Sequence, residues 1–488
     1  MIYLVSKQRS LFETDEYKEL SPEKAIEMLS RESLLACDTE TTGIDPYENT
    51  ILTIQLGNEN FQIVWDCTSY SLIMLKELLE RSDILFLWHN YAFDAMYLLK
   101  ESIVQKNFFD TMVAERLLNN GTSIREYSIS LKTCALKYCN YDMDKSARGE
   151  IITKGLSTRV IVYAGTDVKY MKAIYEAQKK KLEELDLIRA AEFESKFTIV
   201  TAYIKLCGVK LDEDKWKAKM KSDQTNRDLA EKACNDWVLD FYKQHNGENS
   251  YIEYPFLVDS TFIHPGDSTE LKFKEIPKDA IIVGQRTEKS DKYGTLFYTI
   301  CKIPFGWFNK SNTFHPFIET VNAVQLDLFS NTEVEFGDKC ILNWSSSAQV
   351  IPVLELLGCK LEVFDKKEKR IKKSVDQNIL ESQREISPLV SLYLEYKNWD
   401  TVCNAFGEKF LKARSKDGRI RGDWRSIGTD TFRMSCSGQV HGQRINLQQL
   451  PADEVTRSCF IAEKGNSWVS IDMAGWQYNY KFLTIINI

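Results

Sequence analysis

Asp38, Thr39 and Glu40 close an apolar run, LLACDTE, with the texture of a strand. Residues i and i+2 of a strand point to one face, so the two acids share a side. Carboxylates so placed repel each other unless a cation stands between them, and oxygen ligands suit Mg²⁺ or Mn²⁺. A second pattern, Asn90-Tyr-Ala-Phe-Asp94, follows the apolar run ILFLWH directly. Asn90 is expected to cap a helix there, with Asp94 one turn further in. The third, Tyr163-Ala-Gly-Thr-Asp167, lies in a helical stretch, where i, i+4 spacing sets phenol and carboxylate on one face. Taken singly, each has an ordinary reading: solvated acids, a cap, a surface pair.

The elements that must position these groups are short. Residues 34–66 alternate β-rich runs (LLACDTETTG, ILTIQLGN, FQIVWDC) with hairpin-like joints. A helical stretch, SLIMLKELLERS, and another strand, DILFLWHN, come next. Helices are expected at about 91–102, 109–119 and 158–185. Hairpin strands first and helix–strand units later indicate an α/β fold with a mixed sheet.

Together and in this order, the three patterns resemble the DEDD exonuclease superfamily, tyrosine subtype: D-x-E, N-x-x-x-D and Y-x-x-x-D, each matched without substitution. The resemblance implies a ribonuclease H-like 3′–5′ exonuclease domain over residues 1–185. It implies that Asp38, Glu40, Asp94 and Asp167 gather two Mg²⁺ or Mn²⁺ ions. Two such ions about 4 Å apart can activate water and stabilise a leaving oxygen in phosphodiester hydrolysis. Tyr163 would orient the attacking water, with Glu40 as its second partner. A phenol with an ordinary pKa near 10 would do so neutral, by hydrogen bonding. Asp110 and Ser130-Leu131-Lys132 are read as a cap and a packed helix.

Further on, Thr429-Asp-Thr-Phe-Arg433-Met-Ser435 is similar to the T-x-T-G-R-x-S segment of family A (DNA polymerase I-like) polymerases, with Phe432 in place of Gly. Asn446-Leu-Gln448-Gln-Leu-Pro451 resembles its N-L-Q-N-I-P; Arg457 and Phe460 fit R-x-x-F; WVSID places Asp472 as a first palm carboxylate. EFESKFTIVTAYIKLCGVKLD, NWSSSAQ and LYLEYK resemble thumb segments of that family. By this resemblance 186–244 and 341–417 form a mostly helical thumb-like region and 418–488 the start of an α+β palm. Residues 245–340 read as a β-rich insert of unassigned role. Arg433, Asn446, Gln448 and Arg457 become DNA-binding candidates, and Asp472 a polymerase-metal ligand in an incomplete site. Lys409, Lys412, Arg414, Lys416, Arg419, Arg421, Arg425 and Arg444 concentrate positive charge suited to phosphates. Asn446 and Gln448 could read minor-groove acceptors, which vary little between base pairs.

After Asp472 the family's G-x-E-x-R is not matched: Gly475 is followed by Trp-Gln477-Tyr-Asn479. The expectation is a palm cut short near residue 476, possessing a proofreading nuclease but not polymerising alone. A missing C-terminal polymerase fragment is a candidate partner, beside a single-stranded 3′ end and a primer-template duplex. The rivals are a stand-alone nuclease on DNA or RNA and a non-catalytic DNA-binding scaffold; the intact carboxylate set disfavours the latter.

The 488-residue length implies several domains, and a net charge of −7 excludes a uniformly basic coat but not one basic groove. The twelve Cys are scattered without C-x-x-C, which argues against zinc or a disulfide framework. No apolar run reaches membrane-spanning length and no signal peptide opens the chain, so a cytoplasmic protein is expected.

Overall fold

The computed structural model describes residues 1–8, 15–119, 122, 127–144, 146, 149–244, 251–260, 281–290, 294–304, 306–308, 314–321, 337–365, 370–429 and 431–469. It divides into two compact units, Met1–Glu213 with Lys409–Ile488, and Asp214–Glu408.

The first unit is built on a seven-stranded mixed sheet in the order β2-β1-β5-β4-β3-β6-β7. The strands are β1 (Ile2–Val5), β2 (Tyr17–Glu19), β3 (Leu34–Thr41), β4 (Ile51–Gly57), β5 (Gln62–Asp66), β6 (Leu85–Trp88) and β7 (Phe108–Asp110). β3, β4 and β5 form the expected antiparallel meander, whereas β6 joins β3 and β7 joins β6 in parallel. The helices are α1 (Pro22–Ser30), α2 (Lys76–Leu79), α3 (Tyr91–Lys100), α4 (Thr111–Leu118), α5 (Leu131–Cys139), α6 (Glu150–Lys154), α7 (Thr158–Lys169), α8 (Met171–Glu184) and α9 (Ile188–Cys207).

One layer of the core packs Leu35, Cys37, Ile54, Trp65, Phe86, Trp88 and Tyr91 beneath α1, α2 and α3. The other packs Ala36, Leu87, Phe109, Val113, Leu117, Val168 and Ile174 beneath α4, α5, α7 and α8. Alternate residues of β3 therefore feed opposite cores, as the two-residue period of a strand requires. The stretch SLIMLKELLERS is less helical than its periodicity suggests: a 3₁₀ turn at Leu72–Leu75 leads into the single turn α2.

A short strand, β8 (Val209–Leu211), leads into the long helix α10 (Glu213–Gln244) of the second unit. That unit has a β-rich part, β9 (Tyr251–Ser260), β10 (Ile281–Ser290), β11 (Gly294–Pro304), β12 (Gly306–Phe308), β13 (Phe314–Pro316), β14 (Ile318–Val321) and β15 (Gly337–Cys340). Then come α11 (Ser347–Leu356), the ribbon β16 (Glu362–Asp365) and β17 (Arg370–Lys373), α12 (Gln377–Glu381) and α13 (Pro388–Phe406); α14 (Glu408–Lys412) starts on the last residue of this unit and otherwise belongs to the first. Its own core joins Cys234, Val238, Trp344, Val353, Leu389, Tyr393 and Tyr396.

The chain then returns to the first unit. β18 (Arg419–Ile420) pairs with β8; β19 (Trp424–Arg425) pairs with β20 (Ser435–Cys436); β21 (Gly438–Val440) and β22 (Gln443–Ile445) form a tight hairpin. Helix α15 (Glu454–Ser458) and β23 (Phe460–Ile461) follow, with β23 on the other edge of β8. Trp468 and Val469 are exposed and outside any strand, and the rest of WVSIDMAG lies outside the described residues. Among the described residues no helix is long and apolar enough to cross a membrane, and all twelve cysteines are free thiols.

Candidate active site

The parallel pairing of β3 with β6 covers only Leu34–Ala36, so Asp38 and Glu40 project beyond the end of β6. There they meet α7, which lies across β3, β4 and β5. Ser157 caps α7 by accepting from the Val160 N–H. Gly165 lets the helix approach the sheet closely: a Cβ there would stand 3.0 Å from the Ile2 side chain. Tyr163 and Asp167 are thereby buried on the sheet-facing side of α7. Asp38, Glu40 and Asp167 present carboxylate oxygens all within 4.8 Å of one another.

Asp94 is placed differently. It sits in the first turn of α3, 3% exposed, and its Oδ1 accepts from Thr39 Oγ1 at 2.6 Å. It is not a member of the three-carboxylate group. Burial pushes its carboxyl up to about 7, with the charges of Asp110 and Glu40 adding to the rise and the Thr39 hydrogen bond opposing it. Thr39 was not singled out from the sequence; its position between the two acids of D-x-E is the only signal that could have found it.

Asn90 does not cap α3 through its side chain. It takes the left-handed conformation (φ 73°) with no cap hydrogen bond from that side chain. The cap is Asp110, which accepts from the N–H groups of Asn90 at 3.1 Å and Tyr91 at 2.8 Å. The same carboxylate caps α4 through the Met112 and Val113 N–H groups. Burial raises the Asp110 carboxyl, and these four N–H groups hold it down in part. Ser130 caps α5 in the ordinary way. His89, also unforeseen, bridges Thr111 and the Ile129 carbonyl beside this junction.

A cavity of about 1190 Å³ opens beside the first turn of α3. Asn90, Phe93, Arg116 and Tyr127 line one side, and Trp424, Arg425 and the hairpin residues Val440 and His441 line the other.

Of the later candidates, Arg433 and Arg457 are exposed. Asn446 accepts from the Gln448 N–H, and Gln448 grips the 434–436 strand through the Cys436 N–H and the Met434 carbonyl. Both amides are thus engaged within the protein. Asp472 lies outside the described residues. The basic run divides. Arg414 pairs with Glu213, Arg419 with Glu463 and the carbonyls of Cys207 and Gly208, and Arg421 with Asp417 and the Leu206 carbonyl. Arg419 and Arg421 thus join β18 and the residue after it to the end of α9, and Arg414 reaches the start of α10. Lys409, Lys412, Lys416, Arg425 and Arg444 keep exposed side chains.

A mixed sheet with helices on both faces and a cluster of acidic residues at a strand end give the first unit a ribonuclease H-like arrangement. Residues 17–183 match the 3′–5′ exonuclease family model, and 324–476 match that of DNA polymerase family A. The chain belongs to DNA polymerase family A and carries that family's 3′–5′ exonuclease domain. DNA polymerase I of Aquifex aeolicus (strain VF5) is 24% identical over 453 residues, 92% of this chain and 60% of that protein. The DNA polymerase of Escherichia phage T5 is 29% identical over 108 residues, 22% of this chain and 12% of its own length. The chain therefore spans less than two thirds of the length of each of these relatives. In fold, it resembles the POL domain of Pol1 from M. smegmatis, solved in complex with DNA primer-template and dNTP. That likeness has a TM-score of 0.58 at 12% identity, covering 95% of this chain and 59% of that one.

Exonuclease domains of this type use divalent metals, and the donors here fit one: three carboxylates converging within 4.8 Å form a hard oxygen set whose mutual repulsion a cation relieves.

Proposed function

We propose that this chain removes nucleotides from DNA 3′ ends as the proofreading part of a family A polymerase. The observation that carries the reading is the convergence of Asp38 and Glu40 from β3 with Asp167 from α7. Asp38, Glu40 and Asp167 hold divalent ions, two at full occupancy, and Asp94 completes the set from α3. The bound ions supply an activated water and charge relief at the leaving oxygen. The chain's own groups position these events. Glu40 accepts a hydrogen bond from the attacking water, and Tyr163 orients it from α7. Thr39 fixes the Asp94 carboxylate, and Asp110 fixes the turn that carries it.

In the same reading residues 1–185 are the nuclease body, 186–244 with 341–417 a thumb-like region, and 418–488 the start of a palm. Arg433 and Arg457 contact DNA phosphates, Asn446 and Gln448 reach its minor groove by exchanging their bonds within the protein for it, and Asp472 is a palm metal ligand. The ligands are a single-stranded 3′ end and a primer-template duplex.

The test is digestion of 5′-labelled single-stranded DNA and the matching RNA. With Mg²⁺, a ladder shortening from the 3′ end is expected on DNA and abolished by chelator. Internal cuts alone, or hydrolysis confined to RNA, would overturn the assignment.

A further inference from the structure

The hairpin of β21 and β22 turns through His441 and Gly442, both with positive φ (47° and 75°). This is the type I′ pattern that joins two strands through two residues. Glycine takes that conformation freely, whereas at His441 it is strained and must be held by its surroundings. The surroundings are specific. His441 Nε2 lies 3.2 Å from Ser415 Oγ and 3.6 Å from Asp45 Oδ2. Beside it Lys416 Nζ stands 3.6 Å from Glu48 Oε1. The hairpin tip is thus fastened to the 43–50 loop that follows β3.

That loop is tied back to the same segment a second time. The Arg421 guanidinium stacks 4.0 Å over the Tyr47 ring, whose hydroxyl donates to the Leu206 carbonyl. Lys205 pairs with Asp423 at 2.9 Å. Elsewhere along the cavity Arg116 of α4 donates to the Thr429 carbonyl at 3.0 Å and faces the Phe432 ring. The cavity beside α3 therefore has two walls joined by contacts at separate places, one of them the hairpin tip.

Its contents suit an unpaired strand. Phe93 and Tyr127 on one wall and Trp424 on the other offer faces on which bases stack, with the exposed Arg425 for the backbone. Pockets for single small ligands run to about 1,000 Å³, so 1190 Å³ has room for a few unpaired nucleotides. Asp94, the residue after Phe93, is carried by the same first turn of α3 that borders this cavity.

We propose that the 438–445 hairpin is a specificity element of the nuclease: fastened to the 43–50 loop, it makes the path to the carboxylates passable only to single-stranded DNA and sets how far from a duplex junction hydrolysis stops. This rests on the nuclease reading above.

The test uses the full chain with Mg²⁺ and a 5′-labelled strand annealed to leave a long 3′ overhang. The unmodified protein is expected to shorten the overhang and stop at a fixed length before the junction. A variant with Gln439–Arg444 replaced by Gly-Gly, and separately His441→Ala with Lys416→Ala, should stop several nucleotides closer to the junction. Stop position, unlike rate, is insensitive to a partial loss of folded protein. An unchanged stop position in both variants would overturn the proposal. So would loss of all hydrolysis of plain single strands in both while their melting curves stay intact, since the hairpin would then be binding wall and not barrier. Failure of the unmodified protein on plain single-stranded DNA would instead refute the nuclease reading itself.

Discussion

Thr39 is no metal ligand, yet it is the residue on which the geometry of Asp94 depends. The Asp94 carboxyl is buried and raised to about 7, and Thr39 Oγ1 at 2.6 Å is what moderates that rise. Thr39→Val keeps the shape and removes the donor. A buried acceptor left without its partner costs about 1–3 kcal/mol. The variant should melt lower by that amount in chelator and need more Mg²⁺ for half-maximal hydrolysis; an unchanged Mg²⁺ dependence would separate Thr39 from the site. Phe432 poses a different question at the same scale. Its φ of 59° puts a bulky residue in the left-handed region, while its ring packs against the core around α4 and faces Arg116. Left-handed backbone costs a non-glycine residue about 1–2 kcal/mol. Phe432→Ala loses the packing and keeps that strain, whereas Phe432→Gly loses the packing and releases it. The alanine variant should therefore be the less stable of the two in urea titration, by about 1 kcal/mol.

Helices α4, α5 and α8 meet at one buried carboxylate. Glu115 accepts from Lys137 at 2.6 Å, Tyr138 at 2.7 Å and Gln178 at 2.9 Å. Burial pushes its carboxyl up, but these three hydrogen bonds together outweigh burial, and it sits below its ordinary value. A carboxyl lowered in the fold contributes stability that is present above its unfolded pKa, near 4.5, and lost as pH falls through the lower folded value. Glu115→Gln should remove that part of the acid-side slope: the stability gap between the two proteins is expected to be widest near neutrality and to shrink below about pH 4.5. A gap independent of pH would contradict the ion-pair account.

Elements of this kind differ in how far sequence reveals them. β3 to β6 were legible because their apolar runs are continuous and end in turn residues. The D-x-E spacing alone puts Asp38 and Glu40 on one face. The strands β1 and β2, four and three residues long, carry too little periodicity to be read. Asp110 looked like the cap of one helix. Its second duty, to the N–H groups of Asn90 and Tyr91, depends on β6 and β7 lying side by side. The basic run misled for the same reason. Arg421 bonds a carbonyl 215 residues earlier, and no local pattern distinguishes such an arginine from one awaiting phosphate.

The molecule's first unit is assembled from two separated stretches of chain, and the second is inserted between them. β8 is paired on both edges by strands from the C-terminal stretch, β18 and β23, and Arg414 reaches Glu213 from there as well. A fragment of residues 1–213 would leave both edges of β8 and the cavity side of α9 uncovered. It should therefore melt well below a chain in which residues 1–213 are joined to 409–488 by a flexible linker. Equal melting temperatures would mean that the C-terminal stretch adds nothing to the nuclease fold. At this scale the expected α/β nuclease body and polymerase-like continuation are what the structure and the family matches display. The interleaving of the two units was not legible, because it depends on where the chain returns and not on any local texture.

The central claim is that the carboxylates of β3 and α7 form a metal-dependent exonuclease centre. Single-turnover hydrolysis of 5′-labelled single-stranded DNA tests it most directly, run with Mg²⁺ for the unmodified protein and for Asp38→Ala. The unmodified protein should yield a ladder from the 3′ end, and Asp38→Ala should be slower by about 10³-fold or more, equivalent to at least about 4 kcal/mol of barrier, with its melting curve in chelator intact. Equal rates in the two proteins would contradict the assignment of the site.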